Sequence, residues 1–134
     1  MASGQDNAYQ NGRLVTSFVG SVARTDTAAK TLFTLPNGFI PTNVLYAATA
    51  PSNAATTATL SVGKSGGTGT EILNAVDVKT AGSGGGSQKP VASASVVFGV
   101  ALTAAYIVTG TYAETGGASN TGGPWIVIVE GLVV

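Results

Sequence analysis

One short stretch of the sequence combines residues found in phosphate-binding and acyl-transfer motifs. Gly63-Lys64-Ser65 resembles the end of a phosphate-binding loop, but that motif needs a glycine five positions before Gly-Lys, where this chain has Ala58. Ser61 and Lys64 match the S-x-x-K pairing of some acyl-transfer enzymes. Residues three apart on a strand point to opposite faces, so the two side chains are not expected to meet. The sequence therefore predicts neither nucleotide binding nor a Ser/Lys centre.

Carboxylates are the remaining candidates for acid–base chemistry, and the chain has six: Asp6, Asp26, Glu71, Asp77, Glu114 and Glu130. A glycosidase needs two carboxyl groups roughly 5–9.5 Å apart. On a single strand Glu71 and Asp77 would lie about 20 Å apart. Carboxylates on different strands can meet in three dimensions, and the sequence does not fix their distances. Asp and Asn do not recur at the alternate positions of a calcium loop. We expect solvated charges at loops and edges, and no catalytic, cofactor-binding or metal-binding residues.

Composition removes most other chemistries. The chain has no histidine and no cysteine, which excludes disulfides, Cys nucleophiles, His bases and His/Cys metal sites. Charged residues make up 9% of the chain and the formal net charge is zero, against roughly 25% charged residues in an ordinary soluble domain. Nucleic-acid binding needs clustered Lys and Arg. We therefore expect no enzyme activity, no cofactor and no nucleic-acid partner.

Aromatic residues offer one further possibility, a sugar-binding platform built from Tyr9, Tyr46, Tyr106, Tyr112 and Trp125. Trp125 follows Gly122-Gly123-Pro124 and is expected near the end of a strand. Because tryptophan is usually largely buried, the favoured interpretation is that it anchors the packing of the sheets.

The elements that must position these residues are strands. β-Branched Val and Thr are abundant, the chain has 19 glycines, and the helix formers Leu, Glu, Lys, Arg and Gln are scarce. Alternating patterns between turn signals predict eight strands, at residues 13–23, 30–35, 42–48, 58–64, 71–78, 94–102, 104–112 and 125–134. The last is apolar on both faces apart from Glu130, which is typical of a central strand.

Loops and termini complete the prediction. Pro36-Asn37-Gly38 predicts a tight turn, and loops are expected at residues 50–57, 80–88 and 114–123. The stretch from Pro90 to Ala113 has no charge, but its large residues recur with period two. That spacing favours two strands over a membrane helix, so no membrane association is expected. The first residues have neither the basic n-region nor the apolar h-region of a signal peptide.

These elements predict an all-β chain, an eight-stranded antiparallel β-sandwich, with a jelly roll as the favoured topology and a closed barrel as the alternative. Residues 1–12 are polar and are expected to form a flexible N-terminal arm. Residues 13–134 are expected to form a single β-sandwich domain.

Three segments carry a family resemblance: residues 31–41 (TLFTLPNGFIP), residues 58–63 (ATLSVG) and residues 75–78 (AVDV). Their strand and turn pattern resembles small β-sandwich structural proteins of tailed bacteriophages, in particular the jelly-roll capsid decoration, or cement, proteins. The resemblance covers residues 13–134. It implies attachment to the outside of an icosahedral head, contact with the major capsid protein, and a homodimer or homotrimer. It implies no catalytic residues.

The expected function is therefore that of a structural virion protein, made in the host cytoplasm and placed on the capsid exterior. A charge-neutral chain with 44% hydrophobic residues also favours self-association. Two alternatives belong to other classes: a head-fibre, tail or receptor-binding jelly roll that recognises host glycans through Tyr and Trp, and a glycan hydrolase that uses two carboxylates.

Overall fold

A computed structural model describes residues 9–10, 13–79, 85–88, 99–117 and 119–133. Every helix-or-strand element in these ranges is a strand, which confirms the all-β prediction. The nine strands are β1 (Tyr9–Gln10), β2 (Arg13–Val22), β3 (Lys30–Leu35), β4 (Ile40–Ala47), β5 (Thr57–Lys64), β6 (Leu73–Asp77), β7 (Gly85–Gln88), β8 (Tyr106–Thr115) and β9 (Trp125–Val133).

The strands form two antiparallel sheets. The five-stranded sheet has the order β1-β2-β9-β4-β7, and the four-stranded sheet has the order β3-β8-β5-β6. The five-stranded sheet has a short strand at each edge, β1 at one and β7 at the other. The other seven strands have five residues or more and form a three-stranded centre opposite a four-stranded sheet. β9 lies between β2 and β4, so its prediction as a central strand is confirmed.

Pairing follows a nested order along the chain. β2 pairs with β9, β3 with β8, β4 with β7, and β5 with β6, each in antiparallel register. Each such pair lies in a single sheet, and consecutive pairs alternate between the sheets. The chain thus runs back and forth between two layers.

The core lies between the sheets and draws on alternate residues of both. Inward positions of β9 and β4 meet those of β5 and β8 in one hydrophobic cluster. Its largest fully buried members are Trp125, Tyr112, Phe39, Leu35 and Leu60. Strand periodicity places the four strand residues among them inside because successive side chains alternate between faces, and Phe39 enters the core from the turn before β4.

Close approach of β2 to β3 depends on a missing side chain. A Cβ atom on Gly20 would lie 2.7 Å from the Cβ of Leu32, which is too close for any other residue. Next to this crossing, Phe18 packs edge-on against Phe39 at 5.3 Å between ring centroids. Glycine here brings the two sheets together at one end of the core.

The loop prediction at residues 80–88 was wrong in its second half. Gly85–Gln88 forms β7 and pairs with Val44–Ala47. A glycine-rich strand has no alternation of large side chains, so periodicity cannot reveal it, yet its backbone can still pair with the edge of β4.

The predicted strand at residues 94–102 differs as well. Residues 94–98 lie outside the described residues, and residues 99–102 form a turn and a connection. Gly99 adopts a positive φ of 78°, and Leu102 exchanges backbone hydrogen bonds with the Gly38–Phe39 turn. The remaining predicted strands are confirmed with shifted ends; β8 extends to Thr115, into the predicted 114–123 loop. The predicted turn at Pro36-Asn37-Gly38 is present.

Candidate interaction surfaces

The outer side of the five-stranded sheet is covered by aliphatic side chains, which we call the aliphatic face. Its members are outward positions of β2, β4 and β9 that do not pack against the core: Val15, Val19, Ile40, Leu45, Ala47, Ile126, Ile128 and Leu132. Val19 is 57% exposed and Ile126 is 39% exposed, whereas Val15, Ile40, Leu45, Ile128 and Leu132 are half-buried. An apolar patch on an outward sheet face is typical of an interaction surface.

The register arranges these residues in rows across the three central strands. Val19 and Leu45 both lie opposite Ile128, and Val15 and Ile40 both lie opposite Leu132. Aliphatic side chains therefore lie side by side in two complete rows.

A polar row separates the two aliphatic rows. Glu130 lies at its centre, between Ser17 on β2 and Asn43 on β4. The Asn43 side-chain amide donates a hydrogen bond to Glu130 Oε1 at 3.3 Å. Among the side chains that the structure describes, Glu130 is the one charged group on this face. A carboxylate thus stands in the middle of the aliphatic face and not at its rim.

The outer side of the four-stranded sheet has the opposite chemistry, and we call it the hydroxyl face. Its outward positions carry Thr31, Thr34, Thr57, Thr59, Ser61, Thr111 and Thr115. Thr109 has the same orientation but is buried, and its hydroxyl donates to the Gly63 carbonyl oxygen. Ile107, 43% exposed, is the large aliphatic residue among its described outward positions. Hydroxyl groups hydrogen-bond to water, so this face needs no partner to satisfy it.

A cleft of about 360 Å³ lies on the hydroxyl face beneath the turn at residues 65–70, with Lys64, Thr31 and Thr111 in its lining. Glu71 holds this turn, because its carboxylate accepts hydrogen bonds from the backbone N–H groups of Lys64 and Thr68, each at 3.1 Å. Desolvation opposes the ionisation of Glu71, but these N–H donors outweigh it and lower the pKa of the carboxyl below its ordinary value.

At one end of the sandwich, the loop between β4 and β5 is bonded to the loop between β8 and β9. Tyr112 Oη donates to Glu114 Oε2 at 2.8 Å and lies 2.6 Å from Ser52 Oγ. Glu114 also accepts from the Ser119 backbone N–H at 3.1 Å. Hydrogen bonds from Ser119 and Tyr112 lower the pKa of Glu114. The polar groups of this end bind one another, which makes it a structural element.

The aromatic residues do not form a platform. Trp125, Tyr112, Tyr106 and Tyr46 are all buried, and the Trp125 and Tyr112 rings stack at 5.1 Å inside the core. The favoured interpretation of Trp125 as an anchor of sheet packing is confirmed. The side chain of Tyr9, the fifth candidate, lies outside the described side chains.

Comparison with solved structures finds phage capsids. A chain in the capsid asymmetric unit of cyanophage Pam1 superimposes with a TM-score of 0.65 at 25% sequence identity, covering 94% of this chain and 89% of that one. The chain resembles bacteriophage capsid proteins. Two further matches share the fold: the acid-stable capsid of Helicobacter pylori bacteriophage KHP30 (TM-score 0.59, 15% identity, 88% and 85% covered) and the capsid of Ralstonia phage GP4 (0.53, 19%, 93% and 86%).

The sequence matches no protein-family model and no curated protein. The likeness to phage capsid proteins therefore rests on the fold and on the 25% identity with the Pam1 chain. It confirms the resemblance derived from the turn and strand pattern.

The fold of this capsid-like chain does not pair Ser61 with Lys64, the two residues that match an acyl-transfer motif. Ser61 and Lys64 both line the cleft, but Ser61 Oγ accepts a hydrogen bond from the Ala75 N–H. Lys64 Nζ lies 5.6 Å from the centroid of the Tyr106 ring. No hydrogen bond joins the two side chains, so they do not form a Ser/Lys pair, and no helix follows Gly63-Lys64-Ser65.

Most described carboxylates bond to nearby backbone or side-chain donors. Asp26 accepts from the Ala23 N–H at 2.7 Å, which lowers the pKa of its carboxyl with help from Lys30. Asp77 accepts from the Lys79 N–H at 2.7 Å. Asp6 lies outside the described residues. Glu114 and Glu130 depart from the predicted loop and edge positions, since they lie on the central strands β8 and β9. The sequence pattern already placed Glu130 on the last strand, and register sets it between Ser17 and Asn43.

Within the described residues, no group of three or more Asp or Glu side chains is arranged to hold a metal ion. The same part of the chain contains no helix long and apolar enough to cross a membrane. The aliphatic face was missed by sequence reasoning. Its signal was present in the doubly apolar pattern of residues 125–134, which was assigned to burial on both sides.

Proposed function

We propose that this chain is a structural virion protein, a capsid decoration or cement protein that binds the outside of a phage head and stabilises it. The observation that carries the proposal is the correspondence with the Pam1 capsid chain, which extends over 94% of this chain and 89% of that one. The two chains are thus alike in size as well as in fold. A role that needs the whole Pam1 chain can therefore also be filled by a chain of this size and fold.

The strand order supports the jelly-roll part of the proposal. A jelly roll forms when a long antiparallel hairpin with four strand pairs folds over into a two-sheet sandwich. The nested pairs here match that description: β2/β9, β3/β8, β4/β7 and β5/β6. A rigid body of this kind presents two broad faces, one of which is aliphatic. Such a face suits a protein whose task is adhesion and not turnover.

The proposed partners are the major capsid protein and further copies of this chain, as a homodimer or homotrimer. Zero net charge leaves little Coulomb repulsion between copies. An oligomer that makes several weak contacts at once gains affinity through effective concentration, whereas a single subunit has only one contact. Binding to closed heads is therefore expected to be much stronger than binding to isolated capsid subunits.

Residues 1–12 are proposed to contribute to attachment as an arm. Tyr9–Gln10 in this segment form β1, paired with Arg13–Leu14 at the edge of the five-stranded sheet. Two truncations, one of residues 1–8 and one of residues 1–12, separate the contribution of β1 from that of the segment before it. Both are expected to weaken attachment while the midpoint of thermal unfolding changes little, because the described members of the core begin at Phe18.

Cosedimentation with undecorated heads of the phage that encodes this chain is the direct test. The full-length protein is expected to pellet with heads and to saturate, with little dependence on salt because the 12 charges balance. The protein should also delay thermal disruption of the heads. Light scattering of the free protein checks the oligomer, since a mass of 13.1 kDa at micromolar concentration would contradict it.

A different result would replace the proposal. If the protein stays in the supernatant at saturating concentration and binds a host polysaccharide instead, the receptor-binding alternative is correct. The burial of Trp125, Tyr112, Tyr106 and Tyr46 counts against that alternative, because aromatic recognition of sugars needs exposed rings.

A further inference from the structure

We propose that the aliphatic face is the surface that docks on the phage head, and that the partner surface is apolar with a cation or amide donor placed to meet Glu130. This inference rests on the proposed function and assigns its interface. The hydroxyl face then points to solvent.

The position of Glu130 carries the argument. Aliphatic rows lie on both sides of it, with Ile128 two residues away along β9 in one direction and Leu132 two residues away in the other. A partner that covers both rows must also cover the carboxylate. Covering a charge without pairing it is costly, so a fitting partner brings a donor to this point.

A second copy of this chain fits the face poorly for the same reason. Each copy would contribute a Glu130 to the shared interface, and the described side chains of the face include no lysine or arginine. Two carboxylates would be desolvated with only uncharged donors beside them among the described side chains, the Asn43 amides and the Ser17 hydroxyls. A different protein is free to supply the missing positive or amide group, which is how charge complementarity selects between partners.

The size of the face agrees with a contact repeated over a shell. Three strands about 4.8 Å apart and nine residues long cover about 14 Å by 30 Å, or roughly 400 Å². A stable interface between two proteins usually buries about 800 Å² on each partner. One face is therefore too small to hold a subunit firmly alone, and several faces acting together in an oligomer are sufficient.

A groove extends the face at one end. It has a volume of about 450 Å³ and is lined by Ala47, Ala48, Thr49, Pro124 and Ile126. A side chain from the partner can anchor there. Ala47 and Ile126 belong to both the groove and the face, and Ile126 has the larger side chain. Ile126 is thus the position where a single change should affect docking most.

The structure supplies a matched control for this position. Ile126 on β9 and Ile107 on β8 are both exposed isoleucines, at 39% and 43%, and each lies on a strand with neighbours on both sides. Ile126→Asp is expected to weaken cosedimentation with undecorated heads by about tenfold or more, since it places a charge in an apolar contact. Ile107→Asp on the hydroxyl face is expected to bind within about twofold of the unaltered protein.

Glu130→Gln distinguishes the partner. It removes the charge but retains an oxygen that can accept the Asn43 hydrogen bond. Loss of a charge-assisted contact with the shell should weaken head binding by about threefold to tenfold. If a second copy occupied the face, the same substitution would remove an unpaired buried charge and strengthen self-association measured by sedimentation equilibrium.

The outcomes separate the two proposals. Failure of the unaltered protein to bind heads overturns the proposed function. Normal head binding that Ile107→Asp abolishes and Ile126→Asp leaves intact overturns the assignment of the face while the function stands. Normal head binding by Glu130→Gln together with tighter self-association assigns the face to a second copy and overturns the docking inference. Both Asp variants are first checked for native far-UV circular dichroism, and Ile126→Thr replaces Ile126→Asp if the latter fails to fold.

Discussion

The two outer faces of the sandwich differ although the backbone beneath them is the same. Each face is formed by alternate residues of antiparallel strands, and the residues between them fill a common core. One face carries Val, Leu and Ile in register across three strands, and the other carries Thr and Ser. Water satisfies the hydroxyl groups but not the aliphatic side chains.

This difference shows that the fold does not determine what the outward residues are. Strand formation favours β-branched residues on either face, and threonine meets this preference as well as valine does. The choice of valine and isoleucine on one face and threonine on the other is therefore evidence about the surroundings of each face. The aliphatic face has the composition of a surface that is covered for part of its existence.

Glu71, in the turn beside the hydroxyl face, and Glu130, on the aliphatic face, are used differently. Glu71 accepts hydrogen bonds from two backbone N–H groups and holds a turn. Glu130 is held by one side-chain amide in the middle of an aliphatic surface. The donors of Glu71 belong to its own fold, whereas Glu130 retains capacity for a donor from outside.

The largest expected effect comes from comparing inward and outward neighbours on β9. Trp125→Ala should lower the free energy of unfolding by about 3–5 kcal/mol, because it empties the centre of the core. Ile126→Thr, one residue further along, should change it by no more than about 1 kcal/mol. Urea denaturation followed by far-UV circular dichroism measures both. Equal losses would show that Ile126 is a core residue and that the aliphatic face is wrongly assigned.

A smaller effect on stability is expected when the chemistry of the faces is exchanged. The triple variant Val19→Thr, Leu45→Thr and Ile128→Thr should change the free energy of unfolding by only about 1 kcal/mol. Its retention on a hydrophobic-interaction column should fall clearly, because three adjacent apolar side chains are removed from the surface.

The reverse exchange is the control. Thr31→Val, Thr59→Val and Thr111→Val together should increase retention on the same column. If the two triple variants leave retention unchanged, the faces do not differ in accessible apolar surface and the comparison fails.

The smallest effect concerns the pH dependence of Glu71. Its folded-state pKa is lowered below the ordinary value of 4.5, so its contribution is present above that pH and is lost as the pH falls through the folded-state pKa. Because the carboxyl is only partly buried and solvent screens it, the contribution should be below about 1 kcal/mol. Urea midpoints between pH 7 and pH 2.5 should therefore fall less for Glu71→Gln than for the unaltered protein. A parallel pair of profiles would show that the hydrogen bonds to Lys64 and Thr68 contribute no stability.

Sequence reasoning succeeded where side chains alternate and failed where they do not. The pattern of β5 places Leu60 and Val62 on one side, and both are buried. β7 was missed since Gly85 and Gly86 carry no side chain to alternate, and its pairing with β4 depends on backbone groups alone. Residues 99–102 were assigned to a strand from their apolar alternation, but Gly99 turns the chain at a positive φ.

By itself, the sequence determined the class of the protein. The absence of His and Cys and the low charge removed most enzyme chemistries, and the period-two patterns with Gly and Pro turns predicted an all-β chain. The strand and turn pattern resembles that of phage capsid proteins. Such inferences are possible because composition and local pattern act through neighbours in the chain. The faces were decided only by tertiary structure. Val19, Leu45 and Ile128 all lie more than twenty residues apart in the chain. Only the register of β2, β9 and β4 brings them into one row with Glu130 beside it. Register is a property of pairing between distant strands, so no local pattern contains it.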